Sequence, residues 1–182
     1  MLSIENTVLL VIDVQGKLAK LVQNSAVVIG QCAKIITAMQ VLQIPVLHME
    51  QNPSGLGKTT PELAGLLRSS QPYEKITFNG LGSIPFKETL ARMNRKQVLL
   101  CGIEAHICIY QTGIGLLKAG YEVNLMLDAV SSQRIVDKEA AIQKLILSGA
   151  MPSSVEMAIY ELLGTANHSA FKSVLQIMKS IK

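Results

Sequence analysis

The sequence predicts a doubly wound α/β fold: a six-stranded parallel sheet flanked by helices. Three observations lead there. Apolar runs of strand length alternate with amphipathic helical patterns from one end of the chain to the other. The first run, TVLLVIDV from Thr7 to Val14, is apolar throughout, as expected of a central parallel strand covered on both faces. Several runs close on a polar or turn residue, Asp13, Gly102 or Asp128, where a strand must hand over to a loop.

The elements follow in order. After the first strand, Val28, Cys32, Ile35, Met39 and Leu42 recur at spacings of four and three, the stripe of an amphipathic helix. Ile44 to Met49 reads as the second strand. Asn52 to Lys58 is rich in Gly and polar residues and reads as a loop. Thr59-Thr60-Pro61-Glu62 has the form of a helix start, with a capping residue and an early proline. Pro72 to Phe78 is a short strand containing Lys75, and Pro85 opens a helix through Phe86, Leu90 and Met93. Residues 97 to 101 form the next strand, and a helix runs from about 105 to 119, ended by Gly120. Tyr121 to Leu127 is the fifth strand, finishing at Asp128. A helix over 137 to 148, a brief strand near 150 to 153, a helix over 154 to 163 and a last helix carrying Phe171, Leu175 and Met178 complete the chain.

The 182 residues amount to about one domain, and no linker or internal repeat divides them. With 49% hydrophobic and 16% charged residues, a large core is available and wholesale disorder is excluded. The net charge of +4 is spread out; its densest clusters, Arg92 to Lys96 and Lys179 with Lys182, fall at helix ends. Trp is absent and aromatics are scarce, so nucleic-acid binding is not favoured. Three cysteines without regular spacing fit a reducing, cytoplasmic setting rather than a disulfide framework. No apolar stretch is long enough to span a membrane.

Ligands of such sheets bind beyond the C-terminal strand ends. That rule selects Asp13, the Glu50 to Lys58 loop, the Gly102 to Cys108 turn and Asp128 onwards. Cys108, just inside a helix start, sits where exposed N–H groups favour a thiolate. It is either a nucleophile or a buried, inert cysteine. Asp13 either caps a turn or serves a site; Lys75 either snorkels to the surface or does the same. His48, His106 and His168 form no pair at metal-ligand spacing. His106 and Cys108, two apart at a helix start, point to different sides and make a poor dyad. Gly57-Lys58-Thr59 lacks the first glycine of a phosphate-binding loop, which falls on Asn52.

Taken together, VIDVQ with Asp13, EKITF with Lys75 and GIEAHIC with Cys108 resemble the isochorismatase-like, or cysteine hydrolase, family over essentially the whole chain. EQNPSGLGKTTPEL, DAVSSQ and YELLGTANHSAFK are similar to the subgroup of isochorismatase domain-containing proteins and the protozoan proteins called MAR1. The resemblance implies an Asp13, Lys75, Cys108 catalytic triad and a cis peptide between Ile103 and Glu104. It also implies an oxyanion hole from the N–H groups of Glu104 and Cys108, and substrate contacts from Gln15, Glu50, Gln51, Ile103 and His106. The implied chemistry is hydrolysis of a C–N bond in a small amide-like substrate through a Cys108 acyl-thioester, with Lys75 and the helix start lowering the thiol pKa. Glu104 stands where the amidohydrolase branch has a small residue, so its carboxylate would select against anionic substrates or hold a cationic one. The loop EQNPSGLGK has no His or Asp, so neither a metal nor another cofactor is expected. A homo-oligomer, a dimer or larger, is expected from the family and the apolar content. The alternative reading is a non-catalytic interaction protein on a hydrolase scaffold; a ribonuclease rests only on the name attached to MAR1.

Overall fold

Strand β1 (Thr7–Ile12) is buried at every position, because apolar layers cover it from both sides. The computed structural model describes residues 1–68 and 70–180, so Lys182 lies outside the described residues. After β1 come α1 (Leu18–Leu21) and α2 (Ser25–Val41), then β2 (Val46–Gln51), α3 (Pro53–Leu56) and α4 (Pro61–Ala64). Strand β3 (Tyr73–Lys75) leads through a 3-10 turn (Gly80–Gly82) into α5 (Ile84–Arg92). Strand β4 (Gln97–Ile103) leads through a π-helical turn (Ala105–Ile109) into α6 (Tyr110–Lys118). Strand β5 (Glu122–Ser131), α7 (Ile135–Leu147), β6 (Met151–Ser153), α8 (Val155–Leu163) and α9 (Phe171–Ser180) complete the order.

The strands form one six-stranded sheet, parallel at each pairing, in the order β3-β2-β1-β4-β5-β6. Alternation along β1 and β4 divides the core. Leu9, Val11, Leu99, Cys101 and Ile103 pack on the α2, α8 and α9 side. Val8, Leu10, Ile12, Val98 and Leu100 pack on the opposite side, with Phe86 of α5, Leu116 of α6 and Leu145 of α7. Each large aliphatic side chain buried this way contributes about 1.5–3 kcal/mol of transfer free energy. The expected stripe on α2 is present: Val28, Cys32, Ile35 and Met39 are buried.

The strand order reverses between β1 and β4, and there the backbones touch. Gly102 has φ +119, and a Cβ on it would sit 2.0 Å from the carbonyl oxygen of Ile12. Only glycine fits, so the residue that ends the apolar run is also what lets β4 close onto the end of β1. Gly16 permits a similar approach after β1, where a Cβ would meet the Leu56 carbonyl oxygen at 1.9 Å.

Four expectations need correction. Asp128 does not end its strand, because β5 continues through Ser131 past an irregular register with β4. Its Oδ1 accepts from Val155 N at 2.9 Å, so the carboxylate holds the start of α8. The Asn52 to Lys58 loop contains the short helix α3, with Pro53 in its first turn. Thr60 precedes α4, but its hydroxyl makes no cap hydrogen bond. The helix expected from 105 begins with a π turn before its α-helical segment.

Candidate active site

Strand ends bring three ionisable side chains together at the topological switch point. Asp13 follows β1 with φ +54, a left-handed conformation that Asp tolerates better than most residues. Lys75 closes β3 and pairs in register with Gln51 at the end of β2. Cys108 lies in the π turn after β4, just beyond the cis peptide between Ile103 and Glu104. Lys75 Nζ donates to Asp13 Oδ2 at 2.7 Å, to Gln51 Oε1 at 2.7 Å and to Cys108 Sγ at 3.4 Å. All three groups are buried: Asp13 is 1%, Lys75 4% and Cys108 6% exposed.

An ammonium has three N–H bonds, and here each has an acceptor. The Lys75 Nζ is thereby fixed between a carboxylate and a sulfur. Burial raises the Asp13 pKa above the usual carboxylate value, and the Lys75 charge opposes that rise. The expected lowering of the thiol pKa is not found. Burial, then the neighbouring Asp13 charge, push Cys108 up to about 12, and Lys75 only partly offsets them. Burial and the Asp13 carboxylate explain the difference. Cys108 sits in a desolvated corner beside a carboxylate, and the helix start does not outweigh those two effects. At neutral pH the group is a thiol. Its sulfur lies 3.9 Å from Gln51 Oε1, and the Asp13 carboxylate acts on it through both charge and a side-chain hydrogen bond.

The remaining expected contacts are placed as follows. Gln15 is fully buried; its amide nitrogen donates to the carbonyls of Gln51 (2.9 Å) and Gly57 (2.7 Å), and its oxygen accepts from Gln51 N at 2.7 Å. Glu50 accepts from the backbone N–H and hydroxyl of Thr59 at 2.6 and 2.7 Å. Both side chains thereby latch the 52–60 segment to the sheet. Ile103 is completely buried. His106 is turned to Ser132 Oγ at 3.0 Å and lines a small depression of about 180 Å³ with Tyr110, Asp137 and Lys144. Glu104 Oε1 accepts from Gln133 N at 3.0 Å, so that oxygen ties the turn that carries Cys108 to the segment after β5. A larger cavity of about 740 Å³ has Lys75 in its wall, with Asn52, Lys58, Glu74, Thr77 and Ser83. Among the described residues no group of three or more His, Cys, Asp or Glu is placed to hold a metal ion. Gln51 and Gln15 form most of the polar framework; nothing in their spacing marks them out, and only the β2–β3 register reveals why Gln51 reaches Lys75.

A family model described as the isochorismatase domain matches residues 7–157. The chain belongs to the isochorismatase family. Its similarity to isochorismatase domain-containing protein 2 of Bos taurus is 35% identity over 174 residues, 96% of this chain and 83% of the relative. The solved structure of the MAR1 ribonuclease from Caenorhabditis elegans superposes with a TM-score of 0.93 at 33% identity, covering 100% of this chain and 94% of that one. At 15% identity, the Escherichia coli YcaC gene product shares the fold, with a TM-score of 0.86 and coverage of 100% and 97%; it is described as an octameric hydrolase of unknown specificity. Membership of this isochorismatase family gives the chain a hydrolase-like scaffold, and the six-stranded parallel sheet is the sheet expected of it.

Proposed function

We propose that this isochorismatase-family chain is a cysteine hydrolase that cleaves the C–N bond of a small amide-like substrate. The observation that carries the reading is the single ammonium of Lys75, bonded at once to Asp13 and Cys108 in a buried corner at the switch point. Asp13, whose carboxylate meets the thiol through both charge and a side-chain hydrogen bond, takes the thiol proton as the sulfur attacks the carbonyl carbon. A thiol with a pKa of about 12 makes that transfer necessary, since little thiolate exists beforehand at neutral pH. The oxygen of the tetrahedral intermediate is received by the N–H groups of Glu104 and Cys108. The N–H of Cys108 falls in the first turn, ahead of the bond from Ile109 N to Glu104 O that begins the π ladder. Asp13 returns the proton to the departing amine as the C–N bond breaks. A water molecule, deprotonated by Asp13, then attacks the thioester carbon; the acid leaves and the thiol is restored. Lys75 stays charged throughout and keeps Asp13 and the sulfur in register.

We place the activity in a single domain of residues 1–182, whose two apolar layers share one sheet. Three free, buried cysteines fit a reducing, cytoplasmic setting. A homo-oligomer belongs to the same reading: the exposed apolar side chains of Leu56, Ile76, Phe78 and Ile84 need cover, and one fold neighbour is described as an octamer. Light scattering of the full chain tests this, and a monodisperse monomer refutes it. The reaction is tested with a panel of small primary amides, following amine release and the intact mass of the protein. An acyl adduct on Cys108 and loss of release in Cys108→Ala are expected. Release that persists in Cys108→Ala overturns the mechanism.

A further inference from the structure

Gln51 is the side chain that the proposed reaction does not use, yet it meets both Lys75 and Cys108. Its Nε2 donates to the carbonyl of Ile76 at 2.6 Å, which settles the amide orientation and leaves Oε1 facing the ammonium. Its backbone is held on both sides by the Gln15 amide, so strand β2 ends rigidly at this residue. Parallel pairing sets Gln51 directly beside Lys75, on the same sheet face. We infer that Gln51 is a positioning residue that holds the Lys75 ammonium between Asp13 and the sulfur instead of letting it collapse onto the carboxylate. This rests on the reading of Cys108 as the nucleophile.

The physical reason lies in the competition for three N–H bonds. A carboxylate outbids a sulfur for an ammonium, because charge-assisted N–H···O bonds are shorter and stronger than contacts to a neutral thiol. With only Asp13 as a strong partner, Nζ would settle toward the two carboxylate oxygens, the nearer of which already lies at 2.7 Å. The second 2.7 Å acceptor, on the neighbouring strand, pulls the ammonium sideways, and its third N–H is then left for Sγ at 3.4 Å. Gln51 is neutral, so it does this without adding negative charge beside the sulfur. Nearby carboxylates do not substitute for it. Glu50 lies on the other sheet face with its carboxylate on Thr59, and Glu104 is bonded to Gln133. Oε1 also lies 3.9 Å from the Cys108 sulfur, so the same oxygen borders both groups.

The test uses the folded full chain and reads the rate of iodoacetamide labelling at the Cys108 peptide at about pH 8 by mass spectrometry. Gln51→Met keeps the side-chain length and removes the oxygen. Its labelling rate is expected to fall about tenfold, because the ammonium moves off the sulfur and less thiolate forms. Gln51→Asn keeps an amide but is too short to reach Nζ, and is expected to give the same fall; it serves if Gln51→Met does not fold. A merely structural role would lower the melting temperature of either variant without slowing the labelling. Rates equal to the wild type, while Lys75→Met labels more slowly, overturn the inference. A wild-type Cys108 that labels in urea but not at all in the folded protein, even at about pH 10, instead overturns the underlying reading of the nucleophile.

Discussion

Replacing Lys75 by Met removes a charge from the buried pair and keeps most of the side-chain volume. At the observed 2.7 Å, two unit charges in an effective dielectric of 20 attract by about 6 kcal/mol before desolvation is counted. Desolvation costs several kcal/mol per ion, so the intact pair is worth little net. Removing one member is different, because the attraction is lost while the carboxylate stays buried; the expected penalty is about 3–5 kcal/mol. For a chain of this length that lowers the melting temperature by roughly 6–20 °C. The penalty depends on pH in a definite direction. Burial already raises the Asp13 pKa, and without Lys75 the rise is larger. A carboxyl whose folded pKa exceeds its unfolded value contributes fully below the unfolded value, and that contribution is lost as pH rises through the folded one. The difference between wild type and Lys75→Met is therefore smallest in acid and grows toward neutral pH. Urea unfolding of both proteins, at about pH 5 and about pH 8, measures it. The double variant Asp13→Asn with Lys75→Met is expected to recover most of the loss. A penalty under about 1 kcal/mol, equal at both pH values, would refute the description of a sequestered pair.

Asp13→Asn separates nucleophilicity from catalysis. It removes the charge that helps hold the Cys108 pKa near 12, so iodoacetamide labelling at neutral pH should become faster while amide hydrolysis is lost; slower labelling would contradict the assigned electrostatics. Gly102→Ala should destabilise by more than about 3 kcal/mol, because its Cβ would enter the Ile12 backbone. Gly120→Ala, also at positive φ but in open space, should cost only about 1–2 kcal/mol in the same denaturation series. Glu104→Ala leaves Gln133 N without its acceptor and should cost about 1–2 kcal/mol, whereas Glu104→Gln keeps an oxygen there and should cost less. Equal penalties for the two would show that the Gln133 contact carries no weight.

The sheet is legible because its strands are buried on both faces and so must be apolar without interruption. The cores of β1 and β4 read for that reason, although β1 stops at Ile12 and β4 continues past Cys101 through Gly102 to Ile103. Asp13 stands out as a charge closing an apolar run, and Lys75 as the buried end of a short strand that also carries exposed Glu74. Three things are not legible. The end of β5 is hidden because Asp128 breaks the apolar run, yet its carboxylate is satisfied by Val155 N, a partner 27 residues away. The thiol pKa rises where a helix start alone would lower it, because tertiary packing imposes a desolvation that local sequence does not show. Gln51 does not stand out as a framework residue because its importance arises from strand register, and pairing between β2 and β3 is not written in either segment alone.

The π turn at Ala105–Ile109 makes the segment that carries Cys108 sensitive to chain length. A π turn carries one residue more than an α turn closing the same ladder. Deleting Ile109, the residue between Cys108 and Tyr110, would let the helix run on regularly, and would rotate Cys108 by about 100° against α6. Sγ would then swing out of the angle defined by Asp13 and Lys75 while every strand kept its place. Homologues that differ by one residue in this turn should therefore have lost the sulfur chemistry or rebuilt it from another position, even where the surrounding fold is unchanged.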